Sequence, residues 1–226
     1  MAFDPLTRQT VDTYARQDLA GDLNHHIQFF SFLNDDPDLM QRVGEEYYSA
    51  RYLYKLLEGL RIDDPWGKRA QVQLQVQQYA SIYEACVHHL LFVQCKERPE
   101  VQALLRIPTL KDWSVNSDIQ RKLDAASAAA GRTIVAAVES TTKLPDTKVR
   151  FDAKVRAAIE IGIVDEDLGG ELVNFYTVRN MIHIHAELKK GVDWAWEIEF
   201  ARQAYWRLLK FKDQVLAWQA ARNISE

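Results

Sequence analysis

Cysteine is almost absent from this chain: only Cys86 and Cys95 carry a thiol among 226 residues. Both fall in one predicted helix at a spacing that cannot bring their sulfurs together there, which excludes a disulfide framework and favours a reducing compartment. Long apolar runs are missing too. None reaches the ~20 residues that a bilayer-spanning helix requires, so no membrane association is expected. The start, Met-Ala-Phe-Asp-Pro-Leu-Thr-Arg-Gln, lacks a basic region followed by an apolar run, so no secretory signal is expected and the protein reads as soluble and cytoplasmic. An excess of positive charge is also lacking: the formal net charge is -4, so a polyanion would have to be met by a local patch. No repeat, low-complexity tract or linker divides the chain. What is present is a 47% hydrophobic content, ample for a packed core.

The apolar residues recur mostly at helical spacing, and the expected fold class is all-α. Residues 5–33 form an amphipathic segment interrupted near Gly21, with His25 and His26 in surface or interface roles. Asn34-Asp-Asp-Pro37 starts a second helix that runs to about Leu60. Its Tyr47, Tyr48, Tyr52 and Tyr54 are interleaved with leucines, which suits packing with the hydroxyls at the rim better than base stacking. After Arg61-Ile-Asp-Asp-Pro65, the longest helical stretch covers about 66–96. Val72, Val76, Tyr79, Tyr83, Cys86, Leu90 and Val93 make its apolar stripe and glutamines lie opposite, the pattern of a central core helix. Glu84 falls at the apolar centre of that stripe, where a carboxylate needs a cation or donor; Arg179 is the partner expected. Of His88 and His89, one should face the core and one solvent.

Short helices are expected at 100–106 and 109–131, the second stopped by Gly131. Residues 133–138 and 149–151, flanking the turn residues 141–147, predict a small hairpin. The next helix, 151–164, carries Arg150, Lys154 and Arg156 with Lys148 nearby, a run that reads as a solvated face. Asp165-Glu-Asp167 supplies the acidic first turn of the following helix, which Gly191 ends. Asp193 caps a final helix over 194–222.

That penultimate helix holds the densest chemistry: Arg179, Asn180, His183 and His185 stand within seven consecutive positions. An arginine, an amide and histidines suffice for metal-independent attack on a phosphodiester: a fixed cation for charge developing on phosphorus, a neutral hydrogen-bonding group, and a side chain titrating near neutrality. RNA supplies its own 2′-hydroxyl nucleophile. His183 lies one turn beyond Arg179 on the same face, whereas His185 is about 240° around an ideal helix. It can join Arg179 only if the helix bends or a second copy supplies one of the two. Two alternatives stay open. As a strand, His183, His185 and Glu187 would line one face like a zinc site, although residues two apart diverge on a helix. As a purely structural device, Arg179 would neutralise Glu84 while the histidines satisfy backbone groups.

Tyr176-Thr-Val-Arg-Asn-Met-Ile-His-Ile-His185 resembles the signature helix of the HEPN superfamily (higher eukaryotes and prokaryotes nucleotide-binding), all-α domains with an arginine, a polar residue directly after it and a histidine four to six residues further on. Those roles fall on Arg179, Asn180 and His185; His183 departs from the spacing, which leaves the identity of the active histidine open. Ser81-Ile-Tyr-Glu-Ala85 is similar to the family's first core helix, and the resemblance spans about 66–220. It implies an antiparallel helical bundle over 65–226 behind an N-terminal helical extension, 1–64. It further implies a homodimer whose signature helices meet to form one composite cleft for RNA cleavage, without a cofactor or metal. Such proteins act in toxin-antitoxin, antiviral defence or RNA-processing settings, with an antitoxin or other regulatory partner. Some members only bind nucleotide, RNA or a partner protein.

Overall fold

The structure is a computed structural model that describes residues 2–17, 19, 21–180 and 198–225, with side chains through 222. Within these residues the chain is mostly helical, with one two-stranded antiparallel sheet. It forms two compact units. The first comprises the described residues up to Lys96 and from Arg150 onward; the second is Glu97–Val149. The boundary expected after residue 64 falls inside the first unit, between two helices that pack against each other.

The first unit holds α1 (Pro5–Gln17), α2 (Leu23–Gln28), α3 (Pro37–Gly59) and α4 (Pro65–His89). Its later helices are α7 (Phe151–Ile161), α8 (Glu166–Asn180) and α9 (Ile198–Ser225). One local device starts three of them. In Asp4-Pro5, Asp36-Pro37 and Asp64-Pro65 the proline takes the first helical position, where its missing N–H costs nothing, and the aspartate accepts a bond from a first-turn N–H. The aspartate oxygens lie 3.1, 3.0 and 2.8 Å from the nitrogens of Thr7, Leu39 and Gly67.

α4 is the central element, packed by α3, α8, α9 and α7. Val72, Val76, Tyr79, Tyr83, Cys86 and Leu90 of the expected stripe are buried. Two features differ from the sequence pattern. Gln71, Gln75 and Gln78 are buried as well, so only Gln73 and Gln77 are left to the expected glutamine face, half-buried and exposed respectively; Gln75 Nε2 donates to the Ala50 carbonyl at 3.3 Å. And Val93 is 55% exposed while Leu91 and Phe92 are buried. The reason is a π turn over Leu90–Gln94, closed by the Cys95 N–H on the Leu90 carbonyl at 2.9 Å. Its wider winding rotates the last residues out of the α-helical phase.

Around α4 the core is aromatic. The Tyr83 ring stacks on Phe175 of α8 at 6.1 Å and meets Phe211 of α9 edge-on at 5.6 Å. Its hydroxyl donates to the Ala204 carbonyl at 2.7 Å, and full burial pushes the phenol well above its usual range. Tyr47 is buried among His26, Phe29 and Phe30, while Tyr48 and Tyr52 place their hydroxyls on Arg16 and Asp12 at 2.7 and 2.9 Å. The tyrosines of α3 thus pack as expected. His26 is buried rather than superficial; burial lowers its pKa. His89 is the core member of its pair, with Asp35 Oδ2 at 3.0 Å. Along α9 the buried line is Ala201, Ala204, Leu208, Phe211 and Val215, whereas Leu209 and Leu216, which helical spacing of the apolar residues also places on the buried side, are 50% and 37% exposed. Trp194 and Trp196, like Gly191 and Asp193, lie outside the described residues.

The second unit holds α5 (Pro99–Leu104), β1 (Arg106–Asp112), α6 (Ser117–Ala130) and β2 (Ala137–Lys143). The expected hairpin is corrected here. β2 pairs antiparallel with β1, from Arg106 opposite Lys143 to Asp112 opposite Ala137, and not with 149–151, which lead into α7 at Phe151. α6 correspondingly starts at Ser117, capped by Asn116, instead of near Thr109, and does stop at Gly131, whose φ of 63° suits glycine. Both strands are exposed at most positions, so neither shows the alternation by which a half-buried strand announces itself. No helix among the described residues is long and apolar enough to cross a membrane.

The π turn makes a direct prediction. Val93→Ala should change stability by no more than about 0.5 kcal/mol, and Leu90→Ala should cost about 2–5 kcal/mol, both read from urea unfolding. Equal losses at the two positions would mean that α4 continues in α-helical phase through residue 93.

Candidate functional site

The site is assembled on α8. α7 ends at Gly162, whose φ of 83° reverses the chain, and the Ile163 N–H reaches back to the Ala158 carbonyl at 2.9 Å. Asp165 then caps α8 through the Leu168 N–H at 2.7 Å, a bond that, with Lys210 and Gln214 of α9, holds its carboxyl below the usual range. Glu171 pairs with Arg207 of α9. With its first turns tied to α9, α8 buries Leu168, Leu172, Phe175 and Val178 and presents Tyr176 and Arg179, three residues apart, toward α4 and α7.

Arg179 Nη1 lies 2.9 Å from Glu84 Oε2, and the Tyr176 hydroxyl donates to Glu84 Oε1 at 3.4 Å. The guanidinium also sits over the Tyr176 ring, 5.2 Å from its centre, and that ring stacks on Phe151 of α7 at 4.5 Å. The contact between Glu84 and Arg179 expected from the stripe is therefore present. Its setting differs from a buried pair: the side chains are 29% and 30% exposed, so the pair stands at the edge of the core. Glu84 takes one of the five N–H donors that a guanidinium carries, and the Tyr176 ring restrains the plane of the group. Among the described residues this is a fixed, partly exposed cation.

Asn180, next along α8, is exposed. His183 and His185, and Glu187 of the zinc alternative, lie outside the described residues. Among the described residues no cluster of histidine, cysteine, aspartate and glutamate is placed to hold a metal ion.

Sequence reasoning missed two neighbours. Tyr176 supports Arg179 from one turn earlier, a relation that helical spacing alone could have shown. Lys154 is 3% exposed, not part of a solvated face; its Nζ lies 3.2 Å from His88 Nδ1 and 5.9 Å from the Phe92 ring. His88 follows Glu84 by one turn of α4, and Lys154 follows Phe151 by one turn of α7, so this pair continues the Glu84–Tyr176 line toward the π turn. Nothing in the run of basic residues around Lys154 distinguishes it from Arg150 or Arg156.

No protein-family model matches the chain, and no curated protein or solved structure does either.

A double-mutant cycle over Glu84→Ala and Arg179→Ala should give a coupling of about 1 kcal/mol in unfolding free energy, the scale of a partly exposed ion pair. Additive losses at low salt would show that the two side chains do not act on each other.

Proposed function

We propose that this protein is a metal-independent endoribonuclease of the HEPN type, acting as a homodimer on RNA. The observation that supports the reading is the ion pair of Glu84 with Arg179, buttressed by Tyr176, which holds a cation in one orientation directly beside the exposed Asn180. In the reaction, a histidine of the motif, His185 or His183, takes the proton from the 2′-hydroxyl. The 2′-oxygen attacks phosphorus and the bond to the 5′-oxygen breaks; Arg179 stabilises the charge that develops on the phosphoryl oxygens, Asn180 donates a hydrogen bond, and a protonated histidine of the motif gives its proton to the 5′-oxygen, which leaves as a hydroxyl. The products are a 2′,3′-cyclic phosphate and a 5′-hydroxyl end. Because His185 is about 240° from Arg179 around a straight helix, the dimer brings together the arginine of one copy and the histidine of the other. The settings that fit are toxin-antitoxin or antiviral defence in the cytoplasm, with an antitoxin or other regulatory protein as partner.

A second reading is a non-catalytic HEPN module that binds nucleotide, RNA or a partner protein. It draws on the same ion pair, since a carboxylate on Arg179 is also what a structural role requires.

Cleavage of RNA should survive chelation and leave cyclic phosphate ends, while DNA is inert. Arg179→Ala should raise the barrier by about 2.7–4 kcal/mol, the cost of losing one transition-state donor, and His185→Ala should match it. Glu84→Gln should impair activity more than folding. Light scattering on the active protein should report a dimer. Full activity in both the Arg179 and His185 variants, or activity lost to chelator and restored by zinc or magnesium, would overturn the assignment. Absence of cleavage with dimerisation and nucleotide or protein binding retained selects the binding module.

A further inference from the structure

A cavity of 230 Å³ opens between α3, α4 and α9, on residues that take no part in the Glu84–Arg179 site. Among the described residues, Arg51 and Lys55 of α3 and Arg202 of α9 line it together with the carboxylate of Glu58. The remaining wall is aromatic: Tyr54, Tyr79, Tyr205 and Trp206.

These groups are oriented. The Arg51 guanidinium sits over the Tyr205 ring, 4.2 Å from its centre, with Tyr54 at 5.7 Å, a contact that holds its charge beside the cavity. Arg202 Nε donates to the Tyr54 hydroxyl at 3.1 Å and reaches Glu199, outside the lining, at 3.7 Å. Lys55 pairs with Glu58 at 2.7 Å.

One group lacks an acceptor. Tyr79 is 1% exposed, and among the described residues its hydroxyl proton finds no acceptor. Arg51 stands close enough to ease ionisation of the phenol, by its charge and as a donor toward the phenol oxygen, against the stronger effect of burial, while the phenol's own proton is still to be accepted. A buried hydroxyl without an acceptor costs about 1–3 kcal/mol, and an anionic oxygen between Tyr79 and Arg51 would satisfy both. At the mouth, Trp206 is 58% exposed, a large ring surface with 5.0 Å between its centre and that of Tyr205.

We propose that this cavity binds a small phosphate monoester carrying a planar ring, with a phosphoryl oxygen on Tyr79 and Arg51 and the ring against Trp206. A phosphate monoester, an anion at neutral pH, suits the arginines among the described lining residues, and an aromatic face suits the rings beside them. The volume falls below the ~300 Å³ of an ordinary drug-sized pocket, so the site takes one phosphate with its ester and not a threaded polymer. Nucleoside monophosphates and simple aryl phosphates share this chemistry. The proposal does not depend on RNA cleavage.

The test is calorimetric titration of the full chain with AMP and with phenyl phosphate, beside adenosine, phenol and inorganic phosphate. One site per chain is expected for at least one of the two esters, with the ring alone and the phosphate alone about tenfold weaker or more, a difference of about 1.4 kcal/mol. Preference between AMP and phenyl phosphate identifies the source. Tyr79→Phe, which deletes only the hydroxyl, and Arg51→Gln should each weaken binding about tenfold, with Tyr79→Phe no less stable than the parent in urea. Trp206→Ala should weaken the ester without changing phosphate binding. Failure of both esters to bind, equal binding of adenosine or inorganic phosphate, or indifference to Tyr79→Phe and Arg51→Gln would overturn the proposal.

Discussion

The burial of α4 on nearly every side is the constraint from which the rest of the first unit follows. A helix with Gln71, Gln75 and Gln78 buried together with its apolar stripe cannot lie on a surface, so α3, α7, α8 and α9 must all reach it. That arrangement converts α4 into a common reference. Glu84 meets Arg179 of α8, His88 meets Lys154 of α7, and Tyr83 meets Ala204 of α9. Polar side chains at the margins of a buried helix need partners from whichever neighbour is nearest, and those partnerships align the neighbours along the axis as apolar contact alone does not.

Much of this was legible in the sequence, for identifiable reasons. The Asp-Pro pairs announce helix starts through chemistry confined to a few residues, and Gly131 announces a stop the same way. Glu84 was conspicuous because a carboxylate in an apolar stripe demands a cation, and Arg179 was the arginine with the right company. The failures were equally physical. Gln75 and Lys154 are polar by composition and buried by context, and no periodicity encodes a partner contributed by another helix. β1 and β2 are exposed on both faces and separated by a helix, so neither alternation nor a short turn marks them. Within the candidate site, Arg179, Glu84 and Asn180 were readable from spacing, whereas the contributions of Tyr176 and Phe151 come from ring packing between α7 and α8.

The two concentrations of cations differ in design. At Arg179 the charge is met by a carboxylate and steadied by one ring, which suits a group that must act in a single direction. In the cavity beside Tyr79 the described lining residues carry more cation than carboxylate, and the aromatic rings outnumber both. α4 touches both, through Glu84 at one and Tyr79 at the other.

The π turn at Leu90–Gln94 also limits how the chain can change. Its backbone accommodates one more residue than an α-helix of the same height would hold. At its end, Gln94 Nε2 reaches the Phe32 carbonyl and Asp35, and Gln219 donates to the Gln94 side chain. Removing one residue from the turn would restore a regular helix and swing everything after it by about 100°. Phe92 would then leave the interior, and the amide that joins the segment before α3 to α9 would point elsewhere. Length in this stretch is therefore under tighter restraint than side-chain identity: substitutions at Val93 are absorbed by solvent, while a one-residue deletion is transmitted to two distant parts of the fold.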